Sequence, residues 1–301
     1  GLVLIDEAHR VPHEGEGQYR QIIARLGAPV CGLTATPYRT GQGMLVDGDI
    51  FDEVAYKANI SQLMADGYLS IIYAQGYKKG VSSAGLKMQS TGDFKASDVD
   101  ALFSPIVHEA VKDMLWRTID SKKVLIFTSS VAMANHIKDI IDAEGNQCGI
   151  ATHETLTEDE NMWIASFKGG AIKYFVNVNK LTEGFNERAI DCIVLMRSTA
   201  SRGLYEQMLG RGMRTHKSKE KCLLLDYSDN VERFGLIDDK WVENKPGDGD
   251  GLAPMVKCIF CDAYMPARVY ECPDCGHKRD KPPEGSKLNA IPSGSEEIID
   301  V

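Results

Sequence analysis

Apolar residues fall along this chain in two kinds of run. Leu2-Val-Leu-Ile5, Val124–Phe127, Tyr174–Val178, Cys192–Met196 and Cys222–Leu225 are short and uninterrupted, with no polar alternation. Such runs suit parallel strands covered on both faces. Between them, Val107, Val111, Met114 and Leu115 mark one face of a helix, and Ile137, Ile140 and Ile141 one face of another. A further helix is predicted from about Gly17 to Leu26, then a second strand running up to Thr34-Ala-Thr-Pro37. A helix from Ile60 to about Ala65 is broken by Asp66-Gly67. Thr157-Glu-Asp-Glu160 reads as a capping box, its hydroxyl and carboxylate satisfying free N–H groups ahead of Trp163 and Phe167.

From Pro105 onward the strands and helices alternate, which predicts a parallel sheet with helices on both faces. The expected organisation has residues 1–70 as part of a first α/β lobe, 71–104 as a connector and 105–244 as a second lobe. Lys245–Leu252 is a Pro/Gly/Asp linker, a cysteine module occupies 255–280, and 281–301 is expected to be a disordered tail.

Composition narrows this little. The 301 residues, 43% hydrophobic, allow about two domains. No apolar run approaches the roughly 18 residues of a membrane span, and Gly1–Arg10 lacks the basic start and cleavage site of a secretion signal. Net charge is −9, so any nucleic-acid contact needs a local groove of Lys and Arg. Of eight cysteines, Cys31, Cys148, Cys192 and Cys222 stand singly among apolar residues, as buried thiols do. The length and spacing argue against a secreted disulfide scaffold and for a reducing cytoplasm.

Chemistry enters at the strand ends. Asp6-Glu7-Ala8-His9 closes the first apolar run, where open α/β sheets bind ligands. A strand-end Asp can hold Mg²⁺ and an adjacent Glu can orient or deprotonate an attacking water. A polar strand end facing solvent is the plain alternative for the tetrapeptide alone. Cys258-Ile-Phe-Cys261 and Cys272-Pro-Asp-Cys275-Gly276 place four thiolates in two close pairs, a donor set for tetrahedral Zn²⁺, with Gly276 permitting the last turn. Two labile disulfides or a rubredoxin-like iron remain as alternatives. Lys257, Arg268, Lys278 and Arg279 read equally as a DNA- or partner-contacting rim or as a solvated one.

Five segments in order, Asp6–His9, Thr34–Pro37, Val124–Ser130, Leu181–Asn186 and Gln207–Arg214, resemble motifs II to VI of superfamily II DEAD/DEAH-type helicases across about residues 1–235. The resemblance implies two RecA-like lobes, the first incomplete, followed by a zinc ribbon. It implies ATP between the lobes, Mg²⁺ on Asp6 and Glu7 as water-activating base. Gln207, Arg211 and Arg214, at spacings that share a helix face, would present arginines to the γ-phosphate. His9, Thr34 and Thr36 would couple hydrolysis to lobe movement. Thr128, Thr182, Gly184 and Asn186 would bind or couple nucleic acid.

Asn186 stands where many relatives have Asp, which puts a contact assigned to that position in question. No G-x-x-x-x-G-K-[ST] occurs, so an N-terminal truncation is expected, as the missing initiator Met also suggests. Ala65–Leu69, Leu225–Asn230 with Arg233 and Gly235, and the cysteine module are similar to RadD-type bacterial DNA-repair helicases and phage relatives. The implied function is an ATP-dependent helicase or translocase in DNA repair or phage DNA metabolism, acting on DNA, or alternatively RNA, beside repair or replication proteins. Its rivals are a non-catalytic binding module and a motor subunit of a restriction-type complex.

Overall fold

The computed structural model describes residues 1–13, 15, 17–39, 43–90, 92–180, 186–237, 255–267 and 269–280. The linker 245–252, the tail 281–301, Thr182, Gly184 and Arg268 lie outside them.

At the N-terminus β1 (Val3–Asp6) pairs in parallel with β2 (Val30–Leu33), joined by α1 (Gln18–Leu26). Ile5, Ala8, Val11 and Leu45 form a small core with Val3, Ile23 and Val30 on one side of this pair. Alternation in the strands then turns Leu4 (65% exposed) and Leu33 (56%) away from it. Cys31, expected to be buried, is exposed on the same strand for the same reason. A small hairpin, β3 (Tyr38–Arg39) with β4 (Gly43–Met44), and α2 (Ile60–Ala65) lead to the larger sheet.

That sheet has six strands in the order β5-β10-β9-β6-β8-β7, each neighbouring pair parallel. They are β5 (Ile71–Gly76), β6 (Val124–Thr128), β7 (Cys148–Ala151), β8 (Tyr174–Asn177), β9 (Cys192–Met196) and β10 (Lys221–Asp226). Every residue of β6, β8 and β9 is buried, as their uninterrupted apolar runs require. Val124 and Ile126 face one core with α3 (Ala96–Phe103), α4 (Val107–Arg117) and α5 (Val131–Ala143). Leu125 and Phe127 face the other with α6 (Thr157–Gly169), α7 (Arg202–Met213) and α8 (Asn230–Phe234). The α/β class and the layered parallel sheet read from the sequence are therefore present.

Two local expectations fail. Residues 71–104 are not a connector: β5 is the sheet's edge strand and α3 buries Val99 and Phe103 in its core. The Ser, Gly and Lys between these two elements hid both. The capping box does not form either. Thr157 is already helical, Leu156 is the N-cap, and no side chain caps it. Glu160 instead meets Lys180 at 2.5 Å. Farther on, β11 (Met255–Lys257) and β12 (Tyr264–Pro266) make an antiparallel hairpin within the cysteine module. Among the described residues no helix is long and apolar enough to cross a membrane.

Candidate inter-lobe motor site

Asp6 ends β1, and the chain turns at once. Glu7 takes a left-handed backbone, φ 52° and ψ 48°, which costs about 1–2 kcal/mol in a non-glycine residue. That turn lets Ala8 drop into the small core, starts a short 3₁₀ turn over Ala8–Arg10, and leaves Asp6 exposed with its Oδ1 accepting from the Glu7 N–H at 2.9 Å. His9 then comes back over the end of β2. Its Nδ1 lies 3.0 Å from Thr34 Oγ1 and 3.3 Å from Glu7 Oε2. Thr34 Oγ1 also accepts from the Thr36 N–H at 3.0 Å, and Thr36 is buried.

The facing element is α7. Its start is capped by Ser201, whose hydroxyl accepts from the Leu204 N–H. Gly212 lets it press onto the sheet: a Cβ there would meet Cys222 Sγ at 2.5 Å and Ile193 Cγ1 at 2.9 Å. So seated, α7 brings Gln207 Nε2 to 3.4 Å from His9 Nε2. One tautomer satisfies the set, with Nδ1–H toward Thr34 and Glu7 and Nε2 accepting from the Gln207 amide.

One residue earlier on the helix, Glu206 accepts from the Tyr38 hydroxyl at 2.5 Å and from Arg202 Nε at 2.8 Å. Burial, then the Glu206 carboxylate, push the Tyr38 hydroxyl well above its ordinary pKa, so it stays a neutral donor. Sequence reasoning missed this pair, since nothing in the Tyr38 neighbourhood names a partner 168 residues away.

The expectation that Gln207, Arg211 and Arg214 share one helix face holds only for the first two. α7 ends at Met213, and Arg214 is extended at φ −66°, ψ 131°. The helix stops because Leu69 forms a bridge with Arg214 and the Ser70 N–H donates to Met213 O at 2.6 Å. Arg211 is buried within the lobe. Arg214 is half-buried, and its Nη1 donates to Asn186 Oδ1 at 2.8 Å. The contact in question at Asn186 is therefore made, but to an amide oxygen that neutralises no charge. Burial and then Arg188 lower the Arg214 pKa.

Thr128 ends β6 fully buried and offers no surface to a nucleic acid. Thr182 and Gly184 lie outside the described residues, but the approach to them is anchored. Arg197, buried at the end of β9, donates to Asn179 Oδ1 at 2.6 Å and to Asp93 Oδ2 at 3.0 Å. Asp93 Oδ1 accepts from the Ala200 N–H at 2.7 Å, just before α7. A second buried knot follows in Asp226-Tyr-Ser-Asp-Asn230. Asp226 accepts from the N–H groups of Ser228 and Val231 and from the Asn230 amide, while burial pushes its pKa up to about 6. Its sequence signal was present only as family likeness.

In the cysteine module, Cys258 Sγ is 3.6 Å from Cys275 Sγ and Cys261 Sγ 3.6 Å from Cys272 Sγ, with all four sulfurs within 4.8 Å of one another. Tetrahedral Zn–S bonds of about 2.3 Å place sulfurs about 3.8 Å apart. Disulfide sulfurs would be about 2.05 Å apart. The donor set fits a tetrahedral metal.

The helicase conserved C-terminal domain matches residues 107–216, from α4 to just past α7. The chain is 28% identical over 240 residues to a Saccharomyces cerevisiae protein provisionally named ATP-dependent helicase IRC3, covering 75% of this chain and 34% of that protein. It is 22% identical over 285 residues to the EcoAI type I restriction enzyme endonuclease subunit of Escherichia coli, covering 82% of this chain and 34% of that subunit. The chain thus spans about a third of the length of each. In fold it is similar to a fragment of a provisionally assigned HsdR subunit of a type I restriction enzyme from Vibrio vulnificus, with TM-score 0.60, 20% identity, and coverage of 82% of this chain and 46% of that one. Residues 107–216, which hold β6 to β9 and α7, thus carry a helicase conserved C-terminal domain.

Proposed function

We propose that the intact protein is an ATP-dependent nucleic-acid helicase or translocase that acts on DNA. The observation that carries this reading is His9 held between Thr34 on its own lobe and Gln207 on the other. A polar bridge of motif residues across a lobe boundary is what coupling hydrolysis to lobe movement needs.

In this reading Asp6, exposed at a strand end, holds Mg²⁺, which supplies charge neutralisation on the phosphates. Glu7 orients the attacking water and takes its proton. Its left-handed backbone holds the carboxylate beside His9. Arg214 and Arg211 meet charge developing on the transferred phosphoryl group, with Gln207 as their positioning neighbour. Because Asn186 is neutral, Arg214 keeps its full charge while tethered. Thr182, Gly184 and Asn186 contact or sense the nucleic-acid backbone, and Thr128 acts from inside the lobe. Cys258, Cys261, Cys272 and Cys275 hold Zn²⁺ as a structural metal.

The test is ATP turnover by the intact protein with and without DNA. Turnover that rises with DNA supports the reading, and ATP turnover indifferent to any nucleic acid contradicts it. A second reading, the motor subunit of a restriction-type complex, is favoured by the Escherichia coli relative covering most of the chain. Copurification with a modification subunit would decide for it.

A further inference from the structure

A module with a basic rim would ordinarily be taken as a finger reaching outward. Here Lys257 turns inward and Arg279 folds back onto its own module, while Lys278 stays exposed. Lys257 pairs with Glu232 of α8 at 2.7 Å, and Arg279 Nε donates to Val269 O within the module and stacks on Tyr270. Tyr264 is buried in the second core, with its hydroxyl on Glu232.

The module also closes an open sheet edge. β5 pairs with β10 on one side only, and an unpaired edge is a liability in any sheet. On its other side the Gly76 N–H donates to Asp262 O at 2.8 Å, and Gln75 bridges to Ala263. Gln75 Nε2 donates to Asp274 Oδ2 at 3.1 Å. Arg117 of α4 donates to both Asp262 Oδ2 at 3.1 Å and Gln75 Oε1 at 3.2 Å. Gly76 lets the module lie close, since a Cβ there would be 2.4 Å from Lys257 Cε and 2.9 Å from the Tyr264 hydroxyl and would push the Lys257 side chain aside.

These contacts come from residues beside the thiols. Asp262 follows Cys261 and is left-handed at φ 59°, and Asp274 precedes Cys275. Whatever gathers the four sulfurs therefore also aims the groups that hold β5. At its other end β5 is preceded by Ser70, whose N–H donates to Met213 O and whose hydroxyl donates to Arg214 O at 3.2 Å.

We propose that the metal-loaded cysteine module is an edge clamp for β5 and, through Ser70, for the main chain at Met213–Arg214. The proposal rests on the metal reading above but not on ATP hydrolysis. Metal binding adds its free energy to whatever structure its ligands share, and here that includes the sheet edge.

The test is hydrogen exchange on the reduced 301-residue chain, with metal content measured in parallel, before and after chelation and after adding back Zn²⁺ alone. The expected result is one metal per chain. Chelation should raise exchange at 69–76 and 213–214 by about tenfold or more, with recovery on Zn²⁺, while 124–128 stays within about twofold. Arg117→Ala should keep the metal and still raise exchange at 71–76. Bound metal whose removal leaves 69–76 unchanged overturns the clamp. A chain that takes up no metal overturns the metal reading instead. In that case the Arg117→Ala arm decides alone, and unchanged exchange at 71–76 overturns the contact as a clamp.

Discussion

The two halves of the site are built on unequal foundations. On one side, Asp6, Glu7, His9, Thr34 and Thr36 hang from a two-stranded pair whose Leu4 and Leu33 face outward. On the other, Gln207, Arg211 and Arg214 sit on or beside a helix pressed by Gly212 onto a six-stranded sheet whose central strands are buried at every position. The chemistry on both sides lies at strand ends or a helix end. What differs is the support, and a small core with one covered face resists local opening far less than a sheet covered on two. Within this 301-residue chain the acidic half should therefore be the yielding one, and the arginine half the fixed one.

The largest effects should come from removing groups that act only during reaction. In the intact protein, Glu7→Gln should lower the rate of ATP hydrolysis by about a thousandfold while nucleotide binding persists, because the carboxylate acts on the attacking water. Arg214→Ala should lower it by about a hundredfold or more, with DNA affinity nearly unchanged. Steady-state turnover and equilibrium binding on the same preparations check both, and parental rates in both variants would remove the assigned site.

Two truncations in this 301-residue chain, one of a core side chain and one of an outward-facing side chain, sharpen the contrast in support. Phe175→Ala, fully buried on β8, should cost about 3–5 kcal/mol in chemical denaturation, as large-to-small core changes do. Leu4→Ala, on the outward face of β1, should cost no more than about 0.5 kcal/mol. Equal losses would contradict the unequal-support account.

A smaller effect should appear with pH. Asp226 is raised by burial to about 6 in the folded chain, so the folded state binds its proton more tightly than the unfolded state, whose carboxyl has a pKa of about 3.9. The stability it contributes is present below the unfolded value and is lost as pH rises through about 6. Asp226→Asn should flatten that part of the stability profile measured by denaturant titration from pH 4 to 7. A profile identical to the parent's would show that another group sets it.

How much of this was legible in the sequence follows the same division. Runs without alternation, such as Val124–Phe127 and Cys192–Met196, announced buried parallel strands because no polar residue survives on either face. β5 was missed although Ile71–Ala74 is such a run, because the Ser, Gly and Lys that follow it read as a connector and its partner β10 lies about 150 residues later. Motif residues could be named because their types and order are informative. Their contacts could not, since Tyr38–Glu206 and Arg197–Asn179 depend on how elements dock. The shared face of Gln207, Arg211 and Arg214 failed at its last member because helical spacing cannot show where Leu69 and Ser70 take over the chain.

The central claim is that residues on the two lobes act as one site, and a double-mutant cycle on His9 and Gln207 tests it most directly. ATP turnover of the intact protein would be measured for His9→Ala, Gln207→Ala and the pair. The account predicts that the second substitution does little once the first is made, with a coupling of about 0.5–3 kcal/mol. Strictly additive losses would contradict it.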